Sequence, residues 1–220
     1  MKKVYVSVIT IITICCIIIG TILNFGEFKS DDVYDKEIEL EEFNKIKVEA
    51  DVTELEIRNG DEFKIAYKAS KSLVPEYEVK NNTLYIKQKQ ESNFKLFGTS
   101  GCKWVVTVPE NIVLEEINVK ADITDLTIEE ICSNKGTYDI DVGDVKIVDS
   151  DMKNIEMNID IGDVDIDLEN ELDNYSMDLK VDLGEIEYDN EDYGTKYKNA
   201  GEDGNINITC DTGDIKITGR

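Results

Sequence analysis

Residues 157–168 carry the sequence Met-Asn-Ile-Asp-Ile-Gly-Asp-Val-Asp-Ile-Asp-Leu, in which apolar and polar residues alternate with one interruption. Apolar residues occupy positions 157, 159 and 161, and they resume at 164, 166 and 168 after the step at Gly162-Asp163. A period of two is typical of a β-strand with one buried face. Because glycine tolerates a sharp bend, the pattern predicts two half-strands that point both apolar sets, Ile161 included, into one core.

The same interrupted alternation occurs six times between residues 46 and 217. The step falls at Thr53-Glu54, Thr124-Asp125, Gly143-Asp144, Gly162-Asp163, Gly184-Glu185 and Gly213-Asp214. Equivalent positions 123, 142, 161, 183 and 212 are 19, 19, 22 and 29 residues apart. Such a repeat is typical of stacked β-rungs, because each rung buries its apolar face only against its neighbours. We therefore predict an all-β solenoid that ends with the rung over residues 206–217. An antiparallel β-sandwich shares the alternation and is the alternative.

The region between the first and second repeats predicts ordinary strands. Phe63–Tyr67 alternates, and Asn81-Asn82 separates two alternating runs, which is a hairpin signal. A further strand over residues 104–108 is expected to end at Pro109, because proline cannot donate to a sheet.

The N-terminal segment predicts a membrane anchor. Residues 4–23 contain no charged residue, and twenty residues in a helix span about 30 Å, the thickness of one hydrocarbon core. Lys2 and Lys3 precede this span and acidic residues follow it, so the N-terminus is expected in the cytoplasm and residues 25–220 outside. We predict a single-pass anchor in the cell membrane with a short cytoplasmic tip (1–24), a polar linker (25–41) and a β-repeat domain (42–220). A cleaved signal peptide is the alternative.

Composition excludes several function classes. The chain of 220 residues has a formal net charge of −24, which argues against nucleic-acid binding because phosphate contacts need Lys and Arg. Histidine is absent, which removes the most frequent general base. No Cys-x-x-Cys spacing indicates a redox or metal site, and the inward phase of Cys210 predicts a small buried thiol. No catalytic or cofactor-binding residue is predicted.

Acidic residues are concentrated in the repeats, since residues 121–220 hold 28 Asp and Glu against 8 Lys and Arg. Stacking would align two carboxylate columns, one before each step and one at its second residue. A solvated face is one interpretation, because charge prevents edge-to-edge pairing. The other is a divalent-cation face, because oxygen ligands suit Ca²⁺ or Mg²⁺. Its candidate ligands are Asp141, Asp144, Asp160, Asp163, Asp182, Glu185, Asp211 and Asp214.

Three motifs together indicate a family. Asn82-Thr83-Leu84-Tyr85-Ile86, Val106-Thr107-Val108-Pro109 and the repeated Gly-Asp units resemble a bacterial putative-adhesin family with a domain of unknown function, which includes LiaG-like envelope proteins. The resemblance covers roughly residues 43–219. It implies a β-helix-like surface domain, often behind one membrane span, with no established catalytic residues. Asp-x-Gly-Asp/Glu replaces the commoner Ser-Gly-Asp form here.

Two functions are compatible with these features. The first is a non-enzymatic, membrane-anchored surface module that uses residues 4–23 in the bilayer and binds an envelope component or another surface protein. The second is a carbohydrate-active β-helix enzyme, for which abundant carboxylates and Tyr175, Tyr188, Tyr193 and Tyr197 are the only support. Packing at rung ends and loops is the simpler role for these tyrosines. A groove that combines carboxylate, Lys and aromatic residues would favour the enzyme.

Overall fold

The computed structural model describes residues 33–88 and 102–219, and it confirms the all-β, solenoid-like architecture. Within this part of the chain the helical segments are two short 3-10 turns, Lys71–Leu73 and Leu172–Asn174. No helix among the described residues is long and apolar enough to cross a membrane. The predicted span over residues 4–23 lies outside the described ranges.

Seven parallel rungs stack to form one curled sheet, and each rung bends once at a corner. We number the rungs in spatial order. Rung 1 consists of β5 (Thr83–Gln88) and β6 (Lys103–Pro109), rung 2 of β2 (Lys45–Gly60), and rung 3 of β8 (Glu116–Glu129). Rung 4 consists of β10 (Gly136–Val142) and β11 (Val145–Met152), and rung 5 of β12 (Asn154–Ile161) and β13 (Val164–Leu168). Rung 6 consists of β18 (Gly204–Thr212) and β19 (Ile215–Gly219), and rung 7 of β14 (Tyr175–Leu183) and β15 (Ile186–Tyr188). The two halves of each rung form two sides of the stack. Two short strands, β7 (Val113–Leu114) and β9 (Cys132–Ser133), pair with each other, and β9 pairs with the end of β11, which adds a short third side.

The prediction that residues 206–217 form the last rung is wrong. Ile206 pairs with Ile155 on one side and with Met177 on the other, so rung 6 lies between rungs 5 and 7. The chain passes over one position after rung 5, forms rung 7, and then returns to fill the gap. The apolar patterns of these rungs are alike, and sequence order therefore does not determine which rung is last.

Rung 1 is an additional rung that the repeat pattern did not reveal. Thr83–Lys87 and Lys103–Pro109 pair with the two halves of β2 in the same parallel register as the other rungs. In the sequence, residues 89–101 lie between its two halves, where the other rungs have only a two-residue step. At this corner the side-chain amide of Gln88 accepts hydrogen bonds from the backbone N–H groups of Asp51 and Val52.

Antiparallel strands cover both ends of the stack. At one end β3 (Lys64–Ser70) and β4 (Pro75–Lys80) pair with rung 1, and β1 (Val33–Glu39) pairs with β3. β1 lies inside the segment predicted to be a linker, so that prediction is corrected for residues 33–39. At the other end β16 (Glu191–Asp192) and β17 (Lys196–Lys198) pair with rung 7. Covered edges protect the stack from adding further strands.

The core runs through the inside of the bend and confirms most of the predicted alternation. In rung 5, Met157, Ile159, Val164, Ile166 and Leu168 are all buried. Asn81 and Asn82 have φ angles of 51° and 59° and form the predicted hairpin turn between β4 and β5. Burial of each large aliphatic side chain contributes roughly 1.5–3 kcal/mol. Residues 32–220 form one compact unit with its own core and covered ends, so this segment is expected to fold by itself.

Candidate functional site

A row of aliphatic side chains lies exposed along the corner of the stack, which corrects the prediction that Ile161 points inward. Ile123 is 43%, Val142 41%, Ile161 54% and Leu183 70% exposed. We call these four side chains the ridge. The register connects Ile123 to Val142, Val142 to Ile161, and Ile161 to Leu183 through Thr212 of rung 6.

The turn of the chain explains why the ridge faces solvent. In rung 5 Asp160 and Ile161 are both exposed, so the change of phase comes before Gly162 and not at Gly162-Asp163. Gly162 has a φ of 152°, a conformation that residues with a side chain rarely adopt. A Cβ on Gly162 would also collide with the carbonyl of Gly143 in the neighbouring rung. The glycines thus allow a tight corner, and the residue before each one lies on its convex side.

Aspartates after the corner hold the rungs together. Oδ1 of Asp125 accepts a hydrogen bond from the backbone N–H of Asp144 at 3.2 Å, and Oδ1 of Asp144 accepts one from Asp163 at 2.9 Å. Oδ1 of Asp163 accepts from Asp214 at 2.8 Å, and Oδ1 of Asp214 accepts from Glu185 at 2.9 Å. We call this series the aspartate ladder. Each carboxylate supplies a charged acceptor to a backbone donor, which is a strong type of hydrogen bond.

The ladder explains one irregularity of the repeat. Asp occupies the position after the corner in rungs 3 to 6, and Glu185 replaces it in rung 7. Rung 7 is the last in space, so no further rung presents an N–H to the side chain of Glu185. In rungs 3 to 6 the Asp side chain reaches the next rung, whereas Glu54 of rung 2 pairs with Lys103 of rung 1.

The row of carboxylates before the corner is exposed and consists of Asp122, Asp141, Asp160, Asp211 and Asp182. Lys180 lies 2.6 Å from Asp182, and this hydrogen-bonded ion pair lowers the pKa of the Asp182 carboxyl. At the other end Lys103 pairs with Glu54 at 2.8 Å. Within the described ranges, no salt bridge reaches the corner carboxylates of rungs 3 to 6. These rungs therefore present two acidic rows, one on each side of the ridge, whose carboxylates are not held in salt bridges although Lys120 lies near Asp122 and Asp141.

The calcium prediction for Asp141, Asp144, Asp160, Asp163, Asp182, Glu185, Asp211 and Asp214 stays a prediction. Among the residues that the structure describes, no group of three or more Asp, Glu, Cys or His side chains is arranged to hold a metal ion. Asp144, Asp163 and Asp214 each commit one oxygen to a backbone N–H. Melting curves in CaCl₂ and in NaCl of equal ionic strength test the prediction, because only a bound ion makes the two curves differ.

The four tyrosines considered for sugar stacking have packing roles. Tyr188 of rung 7 forms one cluster with Tyr193 and Tyr197 of the segment that covers this rung, with ring centroids 4.5–6.1 Å apart. Tyr175 is buried, and its hydroxyl donates to the carbonyl of Met152 at 3.1 Å. The prediction of rung-end and loop packing is confirmed for this group.

The three cysteines in the described ranges are free thiols. Cys210 is fully buried, as its inward phase predicted, and burial raises the pKa of its thiol. Cys102 is also buried, and Cys132 is partly buried beside Asp151. A raised pKa disfavours the reactive thiolate. Cys102 and Cys210 belong to the hydrophobic core.

A cleft of about 380 Å³ beside rungs 1 and 2 combines carboxylate, Lys and aromatic residues, the combination expected of a carbohydrate-active enzyme. Its lining includes Glu49, Lys47, Lys87, Tyr77 and Tyr85. Lys87 lies 3.1 Å from Glu49, and hydrogen bonding and charge from Lys87 lower the pKa of that carboxyl. A lowered pKa disfavours Glu49 as a general acid.

Comparison with known proteins places this geometry in a family. A structure described as a "putative cell adhesion protein" from Clostridium sporogenes ATCC 15579 has a TM-score of 0.65 at 21% sequence identity, and the match covers 86% of this chain and 100% of that one. At this identity the likeness shows the fold alone. A "putative adhesin" from Bacteroides fragilis NCTC 9343 matches with a TM-score of 0.46 at 16% identity over 86% of this chain and 98% of that one. No curated protein matches the sequence. The family model Toastrack DUF4097 matches residues 43–219, and the chain therefore belongs to this family.

Proposed function

We propose that this chain is a membrane-anchored, extracytoplasmic and non-enzymatic module that binds an envelope component or another surface protein. The observation that carries the proposal is the corner of the stack. There, successive rungs present an aliphatic side chain between two carboxylates, as in Asp141-Val142-Gly143-Asp144 and Asp160-Ile161-Gly162-Asp163. A periodic convex surface on a hydrogen-bonded scaffold suits recognition of a partner, because little order must be gained on binding.

Two further observations support the location and the class. Residues 4–23 are uncharged and follow Lys2 and Lys3, which favours a cytoplasmic N-terminus with the β-domain outside. The neighbouring structure from Clostridium sporogenes is described as a "putative cell adhesion protein", and a binding role of this kind is part of what we propose here.

Protease protection tests the location. Protease added to intact cells is expected to remove the β-domain and leave a small membrane-associated fragment with the N-terminus. A cytoplasmic marker protein must stay intact in the same sample. A β-domain that survives until the cells are lysed would contradict the extracytoplasmic proposal.

Saturable binding to the envelope tests the module. The labelled segment 32–220 is expected to bind isolated envelopes with a plateau, and an excess of unlabelled segment should displace it. The same segment unfolded by heat is the control for non-specific adsorption. Binding that never saturates, or that the unfolded chain reproduces, would contradict the proposal.

The second candidate is a carbohydrate-active enzyme, and the cleft around Glu49, Tyr77 and Tyr85 is the observation in its favour. We rank it below the binding module because two lysines pair with Glu49. Purified envelope polysaccharide incubated with the segment 32–220 should release no new reducing ends and no unsaturated products. Release that Glu49→Gln abolishes would reverse this ranking.

A further inference from the structure

We propose that the ridge and its two acidic rows are a docking surface for a basic amphipathic α-helix of a partner protein. The inference rests on the proposed binding function and names the chemistry of the partner. Three features of the corner support it: the aligned aliphatic side chains of the ridge, the negative charge of the acidic rows, and the distance between neighbouring rungs.

The ridge is an apolar strip on an otherwise charged face, contiguous over Ile123, Val142 and Ile161 and interrupted by Thr212 before Leu183. Each member is in register with the member on the next rung, apart from Thr212 between Ile161 and Leu183. Val52 of rung 2 continues the row beyond Ile123 and is half-buried. Single exposed aliphatic residues are ordinary on a protein surface, whereas a contiguous strip is typical of an interaction site.

The charge around the ridge favours a basic partner. Eight carboxylates of rungs 3 to 6 flank the ridge: Asp122, Asp125, Asp141, Asp144, Asp160, Asp163, Asp211 and Asp214. The aspartate ladder engages single oxygens of its members, so their charges remain available at the surface. Complementary charges across an interface raise the association rate and suppress wrong partners. A second copy of this chain would instead bring like charges together.

The spacing of the rungs favours a helix over a strand. Parallel rungs lie about 4.8 Å apart, so consecutive ridge side chains repeat at about that distance. An α-helix repeats its apolar face about every 5.4 Å per turn. A strand repeats one face about every 6.6 Å. From Val52 to Leu183 the row covers five intervals, about 24 Å, which corresponds to about 16 helical residues.

A designed peptide tests the inference directly. The probe is a fluorescent 16-residue helix-forming peptide with leucines along one face and lysines on both sides of that face. A control peptide of identical composition distributes the leucines around the helix. Titration with the segment 32–220 at 150 mM NaCl, followed by fluorescence anisotropy, should show at least tenfold tighter binding of the amphipathic peptide. Equal affinities would overturn the proposal, because they would reduce the interaction to charge alone.

Substitutions then locate the binding surface. Val142→Ser with Ile161→Ser should weaken peptide binding at least tenfold. Val113→Ser is the matched control, since Val113 is 56% exposed but lies on the third side of the stack, and it should leave the affinity unchanged. A loss with the control variant, or none with the ridge variant, would overturn the proposal.

The acidic rows have their own test. Asp141→Asn with Asp160→Asn removes two charges that are outside the aspartate ladder, so folding should be retained. Peptide affinity should fall at 50 mM NaCl, and its dependence on salt should become weaker. An unchanged salt dependence would overturn the role given to these rows.

Other occupants of the ridge would also overturn the proposal. If the segment 32–220 dimerises in sedimentation experiments and Val142→Ser with Ile161→Ser abolishes the dimer, the ridge is a self-association surface. If zwitterionic vesicles bind the segment through the ridge, it is a lipid contact. Failure of peptide binding leaves the protease-protection result untouched, so failure of this inference is distinguishable from failure of the proposed location.

Discussion

The backbone N–H of Asp163 donates a 2.9 Å hydrogen bond to Oδ1 of Asp144, which lies 19 residues earlier in the chain and one rung away in space. Asp163 in turn accepts from the backbone of Asp214 at 2.8 Å. An acidic column that could be interpreted as a ligand site therefore has a structural role in the stack. At the corner the turn interrupts the regular backbone pairing, and the carboxylates of this column accept hydrogen bonds from the backbone N–H groups there.

Removal of a ladder carboxylate should destabilise the protein. Asp163→Ala leaves the N–H of Asp214 without this acceptor, and we expect a loss of about 1 kcal/mol in the free energy of unfolding. Asp163→Asn retains a side-chain oxygen and should lose less. Urea unfolding of the segment 32–220 at 25 °C measures both changes.

Asp165 provides the control for the ladder, since it is exposed on the same rung, two residues beyond Asp163. Asp165→Ala should change stability by less than about 0.5 kcal/mol. If Asp163→Ala and Asp165→Ala have equal effects, the ladder hydrogen bonds contribute nothing measurable.

The two isoleucines of rung 5 should respond differently to a charge. Ile159 is 2% exposed and faces the core, whereas Ile161 belongs to the ridge. Ile159→Asp buries a carboxylate without a partner and should abolish cooperative folding. Ile161→Asp places the charge in solvent and should retain a cooperative thermal transition by circular dichroism. A folded Ile159→Asp protein, or an unfolded Ile161→Asp protein, would show that the orientation of these side chains is wrong.

Much of the fold was predictable because burial imposes a period of two on a strand. That period identified Met157, Ile159, Val164 and Ile166 as core residues without any structure. It could not identify Ile161 as exposed, because alternation specifies faces only along a straight strand. At the corner the chain turns before Gly162, and an apolar residue on the convex side then has the same sequence pattern as a core residue.

The alternation of apolar and polar residues does not contain the order of the rungs, and it did not reveal rung 1. Rungs 5, 6 and 7 have similar apolar faces, so the alternation does not show which of them are neighbours. The hydrogen-bonded register in the structure shows that rung 6 lies between rungs 5 and 7. In rung 1 residues 89–101 separate the two half-strands, and Gln88 substitutes for a backbone partner at the corner. The aspartate ladder was also not predictable, because it depends on distances between rungs that the sequence does not specify.

Gly162 should be intolerant of any side chain, and Gly194 provides a matched comparison. Both have positive φ angles, 152° and 67°, but an added Cβ at Gly194 would meet nothing within 4 Å. Gly194→Ala should therefore cost about 1 kcal/mol for backbone conformation alone. Gly162→Ala adds a collision with the carbonyl of Gly143 and should cost at least about 2 kcal/mol. Chemical unfolding measures both, and equal costs would mean that close approach of the rungs is not what requires glycine.

Disulfide trapping should distinguish the observed rung order from stacking in chain order. Asn205 of rung 6 is in register with Asn154 of rung 5 and with Ser176 of rung 7. Neighbouring rungs are about 4.8 Å apart, which a disulfide can bridge, whereas two rungs are about 9.6 Å apart, which it cannot. Asn154→Cys with Asn205→Cys, and Asn205→Cys with Ser176→Cys, should each cross-link under mild oxidation. Asn154→Cys with Ser176→Cys should not, and mass spectrometry of the linked peptides identifies each pair against the native thiols. Stacking in chain order requires a bond between positions 154 and 176 and none between 154 and 205, because rung 7 would then follow rung 5 directly. Positions 176 and 205 are neighbours in both orders, so that pair is the positive control for oxidation.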